Sequence, residues 1–183
     1  MVWENEQLKK ILKEGGVVVM PTDTIYGILG RAQDEKVVNR IYEIRQRAPS
    51  KPCIVLIGDL KEIRKFDIIL TEQQKNIIKN FTESTSFVIN CAEEKYSYLH
   101  RGTKTLALRL PQEKELRKLL LQVGPLVAPS ANPEALPPSR SIDDAKKYFG
   151  KLVDLYIDGG KIATKASKIV RLHGDGTMTI LRE

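Results

Sequence analysis

The chain has 183 residues, 42% hydrophobic and 29% charged, a profile that fits one soluble globular domain and excludes a disordered, collagen-like or membrane-spanning protein. Thirty Lys and Arg against 23 Asp and Glu leave a net charge of +7, scattered along the sequence instead of gathered in a tail. That excess suits an anionic partner, and it also suits a merely solubilising surface.

In chain order, Leu8, Ile11 and Leu12 recur at helical spacing between Asn5 and Glu14, and Gly15-Gly16 stops the helix. The β-branched run Val17 to Met20 follows as a strand buried on both faces. Asp34 caps a second helix, with Val37, Val38, Ile41 and Ile44 on one stripe, that ends near Arg47 and Pro49. A buried strand from Cys53 to Ile57 comes next, then a helix from Thr71 to Asn80, extended runs at Phe87 to Cys91 and Thr105 to Leu110, a helix from Glu113 to Val123 and a short strand at Leu126 to Ala128. After a loop rich in Pro and Ser, a helix from Ile142 to Phe149 precedes three extended runs at Val153 to Ile157, Lys168 to Leu172 and Thr177 to Leu181, the last two joined by a hairpin turn at Gly174-Asp175-Gly176. This alternation predicts an α/β fold, a single domain over residues 1–183 with a twisted mixed sheet and flanking helices.

Cys53 and Cys91 lie in apolar, strand-like runs and read as reduced core thiols. His100 and His173 read as surface or turn residues, and with no close Cys or His pair the chain offers no zinc site. The amino terminus lacks the pattern of a secretory signal, and the longest uncharged stretch, Leu119 to Pro133, is broken by Gly124, Pro125 and Pro129, so no membrane span and a cytoplasmic location are expected.

Three junctions between uncharged strands and polar loops are candidates for ligand chemistry, because backbone amides and helix ends converge at such points. They are Pro21 to Gly27 (Pro-Thr-Asp-Thr-Ile-Tyr-Gly), Arg45 to Pro52 with three cations, and Pro129-Ser130-Ala131-Asn132. Helix capping explains cations at a helix end, but Lys51 lies beyond the helix. Ser130 lacks the strand-turn-helix frame of a nucleophile, and no P-loop or Rossmann glycine pattern is present.

Taken together, Pro21 to Gly27, Arg45-x-Arg47-x-x-x-Lys51-Pro52, Thr105-Leu-Ala-Leu-Arg109-Leu-Pro and Ser130-Ala-Asn132 resemble the YrdC-like threonylcarbamoyl-AMP synthases in order and spacing. The resemblance continues through Asp158-Gly159-Gly160, Ser167-x-Ile169 and Ile180-Leu181-Arg182, and fits the short, single-domain form. It implies a twisted α/β sheet around a basic concave cavity. It also implies a nucleotidyltransferase reaction in which L-threonine and bicarbonate form an N-carboxy adduct that attacks the α-phosphate of ATP, giving threonylcarbamoyl-AMP and pyrophosphate for t6A at position 37 of tRNA. By the same resemblance Arg47 and Lys51 are the catalytic cations on the triphosphate, and Arg45 stands where the family has Lys. Thr24, Arg109 and Ser167 bind threonine, and Thr105, Ser130, Asn132 and Arg182 surround the nucleotide. Mg2+ enters with ATP and no separate metal site is implied; tRNA or double-stranded RNA and a downstream t6A transferase complex are the implied macromolecular partners.

Two departures from the family pattern stand out. Phe81-Thr82-Glu83-Ser84-Thr85-Ser86 replaces the usual Trp-Pro-Gly-Pro-x-Thr, and Arg182, one residue from the last position, is expected on a short, frayed tail. The altered segment and Arg45 leave an alternative: a YrdC-like RNA-binding or ribosome-associated module with little or no synthase activity. Intact Thr24, Arg47, Lys51, Arg109, Ser130 and Asn132 favour synthesis, since a module that only held RNA would need no threonine pocket.

Overall fold

The computed structural model describes residues 2–183. Alternation within the first strand, β1 (Val18–Pro21), sets the layering: Val17 and Val19 join one apolar cluster and Val18 and Met20 the other, so the strand is buried on both faces. Helix α1 (Glu6–Lys13), capped by the Asn5 side chain on Leu8 N, packs Leu8 and Leu12 on the Val18 face. Trp3 anchors this segment by donating from Nε1 to Pro21 O at 3.0 Å. Helix α2 (Glu35–Arg45), capped by Asp34, packs Val37, Val38 and Ile41 on the opposite face.

Between these helices the chain forms β2 (Tyr26–Arg31), a strand absent from the sequence reading. Gly27 and Gly30 interrupt its apolar pattern, and Gly30 is there for packing: a Cβ at this position would lie 2.3 Å from Val37 Cγ1 of α2. The other elements are β3 (Ile54–Leu56), α3 (Glu72–Asn80), β4 (Thr85–Asn90), α4 (Ser97–His100), β5 (Thr105–Arg109), α5 (Lys114–Val123), β6 (Leu126–Val127), α6 (Ile142–Phe149), β7 (Leu155–Tyr156), β8 (Lys168–Leu172) and β9 (Met178–Arg182), with 3-10 turns at Leu60–Phe66 and Glu94–Tyr96.

The nine strands form one mixed sheet in the order β7-β1-β2-β6-β3-β5-β4-β8-β9. β1 pairs antiparallel with β2 and parallel with β7; β3 with β5 and β4 with β8 are also parallel. Helices α1 and α5 cover one face, and α2 and α6 the other. Cys53 and Cys91 are buried free thiols.

Two expectations are corrected. Arg182 is not on a frayed tail: β9 pairs antiparallel with β8, Ile169 facing Arg182, after the turn at Asp175, whose Oδ1 accepts from Thr177 N. His100 does anchor a turn, but it is not at the surface. It is 2% exposed at the end of α4, with Nδ1 accepting from Gly102 N, because the turn after that helix folds the ring inward.

Candidate active site

Where β1 ends, short hydroxyl side chains close the turn. Thr22 Oγ1 donates to Ile25 O at 2.7 Å and accepts from Thr24 N at 3.2 Å, which buries Thr22 and Thr24 side by side. The Arg109 side chain, from the end of β5, reaches this turn: Nη1 donates to Thr24 Oγ1 at 3.1 Å, and Nη2 lies 3.1 Å from Asp23 Oδ1. Asp23 Oδ2 in turn accepts from Ser84 Oγ at 3.3 Å. Both charged side chains are about 95% buried, and Arg109 Nε has no partner among the described residues. Burial pulls the Arg109 guanidinium below its ordinary pKa; Asp23 opposes that pull and nearby Arg182 adds to it.

The adjoining wall comes from β4, β8 and β9. Ser86 and Ser167 share a buried hydroxyl–hydroxyl hydrogen bond of 2.9 Å, and Arg182 Nη2 donates to Ser167 O at 2.6 Å. The segment that departs from the family pattern therefore supplies Ser84 and Ser86 to the site, while Glu83 is exposed. The loop after β7 is pinned to this region: the Tyr26 hydroxyl accepts from Gly159 N and donates to Gly160 O, both at 2.8 Å, and Thr164 Oγ1 donates to Thr24 O.

At the other end the chain from α2 meets the loop after β6. Gly27 bridges to Ser130, Ile28 N donates to Pro129 O and Ala131 N to Tyr26 O, which extends the β2–β6 ladder and fixes Ser130 at the cleft. Arg45, 2% exposed, lies behind this loop and donates from Nε to Asn132 O at 2.9 Å and from Nη2 to Ser130 Oγ at 3.2 Å. Because Arg45 is the donor, the Ser130 hydroxyl keeps its own proton to give to a ligand oxygen. Burial, helped by Arg47, pushes the Arg45 pKa down to about 10. Arg47 donates from Nε and Nη2 to the carbonyls of Lys51 and Pro52, and its Nη1 donates to nothing among the described residues.

These parts line an open cleft of roughly 230 Å³. Of the sequence-derived candidates, Thr24, Arg47, Arg109, Ser130, Ser167 and Arg182 line it. Three arginines thus line one cavity, with no Asp or Glu among its lining residues, and the Asp23 carboxylate is paired with Arg109 beside it. Arg45 and Asn132 stand behind that wall, with the Asn132 amide donating to Pro133 O and Leu136 O. Lys51 is drawn to Glu134 at the rim. Thr105 does not join the group: it starts β5, about 13 Å along the strand from Arg109 at 3.3 Å per residue, and its hydroxyl bonds Thr103.

Sequence reasoning passed over Asp23, Ser84, Ser86 and Glu134. Asp23 stood inside the Thr-Asp-Thr motif and only its neighbour was given a role; Ser84 and Ser86 lie in the segment that departs from the family pattern and are brought in by the pairing of β4 with β8, and Glu134 by a loop contact with Ala48 and Lys51. Among the described residues no three His, Cys, Asp or Glu side chains gather as a metal-holding group.

A single mixed nine-stranded sheet, flanked by helices and carrying a cleft lined by three arginines, defines a class of α/β protein suited to anionic ligands. Within that class the chain belongs to the Sua5/YciO/YrdC family, whose profile, described as "Telomere recombination", matches residues 10–183. A Hahella chejuensis protein named threonylcarbamoyl-AMP synthase is 30% identical over 186 residues, covering 99% of this chain and 98% of that one. A Bacillus subtilis protein of the same name is 28% identical over 96% of this chain and 52% of its own length. The crystal structure of Pyrococcus abyssi Sua5 complexed with L-threonine superposes with a TM-score of 0.88 at 26% identity. It covers all of this chain, which spans only 54% of the Pyrococcus protein. E. coli YciO superposes with a TM-score of 0.81 at 26% identity, over 97% of this chain and 87% of that one.

Proposed function

We propose that this chain is a threonylcarbamoyl-AMP synthase: it joins L-threonine, bicarbonate and ATP into threonylcarbamoyl-AMP and pyrophosphate, the activated intermediate for t6A in tRNA. The observation that carries the reading is the lining of the cleft, three arginines and no Asp or Glu, in a chain whose relatives bear that name. Both reacting partners are anions, so the reaction needs fixed cations to bring them together and to hold charge on the departing group.

Arg109 takes the threonine carboxylate, with Thr24 and Ser167 beside it. Arg47, Ser130 and Arg182 take the nucleotide, and Lys51 joins the triphosphate. Arg45 and Asn132 act from behind by fixing the Ser130 loop. A nucleotide role for Thr105 has no support from its position on β5. The amino group of threonine first loses its ammonium proton to solvent and is then carboxylated: a C–N bond forms to the bicarbonate carbon as a C–O bond of bicarbonate breaks, and water leaves. An oxygen of that carbamate then attacks the α-phosphorus of ATP, the bond from that phosphorus to the bridging oxygen of the β-phosphate breaks, and pyrophosphate leaves with the electron pair. The attack on phosphorus itself needs no general base, since the attacking carbamate is already an anion. Mg2+ would travel on the phosphates of ATP and take its ligands from them. The product would pass to a transferase complex that modifies tRNA, in the cytoplasm; no helix among the described residues is long and apolar enough to cross a membrane.

The test is incubation of the protein with Mg2+, ATP, bicarbonate and L-threonine, with threonylcarbamoyl-AMP sought by mass spectrometry. Pyrophosphate release that requires both threonine and bicarbonate is the expected result. Release without threonine would mark a plain ATPase, and none under any condition would favour an RNA-binding module.

A further inference from the structure

The rim of the cleft holds a charge contact that the synthase reaction does not use. The loop after β6 turns at Pro133 and sends Glu134 back over the segment that follows α2. One Glu134 carboxylate oxygen accepts from Ala48 N at 2.5 Å, and the other pairs with Lys51 Nζ. The backbone of the same residue is fixed, with Glu134 N donating to Arg45 O at 2.8 Å and the next residue, Ala135, held at φ +69°. A backbone amide and an ammonium converging on a pair of oxygens is the recognition pattern of a phosphate group. Lys51 and Ala48 N as donors, with the field of Arg47, hold the carboxylate pKa below the usual range.

We propose that Glu134 is an internal stand-in for phosphate, and that nucleotide binding is an exchange in which the polyphosphate tail displaces this carboxylate from Lys51 and Ala48 N. The inference rests on the synthase reading, which needs Lys51 on the triphosphate although the structure shows it occupied by Glu134. Exchange is feasible because the contact is superficial: the Lys51 side chain is 59% exposed and that of Glu134 23%. The return step matters equally. Once the α–β bond of ATP is cleaved, recapture of Lys51 by Glu134 competes with pyrophosphate for the same donors and helps it leave. Glu134 is then a residue that sets affinity for the polyphosphate tail, distinct from those that touch the reacting atoms.

The experiment is titration calorimetry of the wild-type chain, Glu134→Gln, Lys51→Ala and the double variant with ATP, AMP and inorganic tripolyphosphate. Glutamine keeps the shape and removes the charge, so ATP and tripolyphosphate should bind about three- to fivefold more tightly, in line with the modest strength of an exposed ion pair. AMP, which lacks the tail, should bind unchanged, and the gain should shrink when Lys51 is absent. Unchanged or weaker tripolyphosphate binding by Glu134→Gln would overturn the proposal and make Glu134 a support for Lys51. Equal tightening of AMP would overturn it too, by showing only a general loss of negative charge. Because tripolyphosphate needs no turnover, a chain that fails to make threonylcarbamoyl-AMP yet gains tripolyphosphate affinity on Glu134→Gln would refute the synthase reading and leave the exchange standing.

Discussion

The two ends of the cleft are built in opposite ways. At the Arg109 end the charges are buried and interlocked: Asp23, Thr22 and Thr24 converge on one guanidinium, Ser84 holds the other Asp23 oxygen, and Ser86 and Ser167 pair in the adjoining wall. At the Lys51 end the charges sit in two loops at the surface, held by a pair that solvent reaches. A small amino acid with one carboxylate is best met by groups already in position, since binding then orders little that was mobile. A flexible polyphosphate carrying a metal ion is better met by donors that can be exchanged. Stability and ligand affinity are therefore coupled at one end and separable at the other.

The largest test of that contrast is Arg109→Ala. It leaves the Asp23 carboxylate buried without its partner, and removing one member of such a pair costs about 3–5 kcal/mol of stability, to be read as a fall in the urea midpoint. For the fraction that folds, the threonine requirement should rise far more than the ATP requirement. Equal damage to both substrates would make Arg109 purely structural. Ser86→Ala tests the wall: it leaves the buried Ser167 hydroxyl unpaired, at a cost of about 1–3 kcal/mol, and should raise KM for threonine while leaving that for ATP alone. A change confined to ATP would place the boundary between the two ends elsewhere. The smallest effect on stability belongs to Lys51→Ala, within about 0.5 kcal/mol of wild type as for most surface substitutions, together with a steep loss of ATP affinity in calorimetry. A loss of folding stability like that of Arg109→Ala would erase the contrast altogether.

The same contrast explains what could be read in the sequence. Every helix with an apolar stripe and a cap was legible, α1 from Asn5, α2 from Asp34 and α6 from Ile142, because those signals are local. β2 was not, since Gly30 answers to α2 packing against it and looks like a break when seen alone. In the site, the motif residues Thr24, Arg47, Arg109 and Ser130 were legible and do line the cleft. Ser84 and Ser86 were hidden inside a segment that looked like a defect, and their use depends on β4 lying next to β8 and facing the Asp23 turn. Glu134 was hidden for another reason: a lone acid in a proline-rich loop carries no signal until the chain places it against Ala48 and Lys51, more than 80 residues away.

The sheet order has a consequence for the birth of the molecule. β1 is synthesised well before β7, yet β7 is one of its two neighbours, and Val17 N is satisfied by the carboxylate of Asp154, 137 residues downstream. At a translation rate of about 5–20 residues per second, that partner arrives roughly 7–27 s after β1 itself. Throughout that interval the nascent chain carries an apolar strand with an unpaired edge, a template for association with other chains. That edge closes only when Leu155 and Tyr156 emerge, so destabilising β7 should show first as aggregation during synthesis.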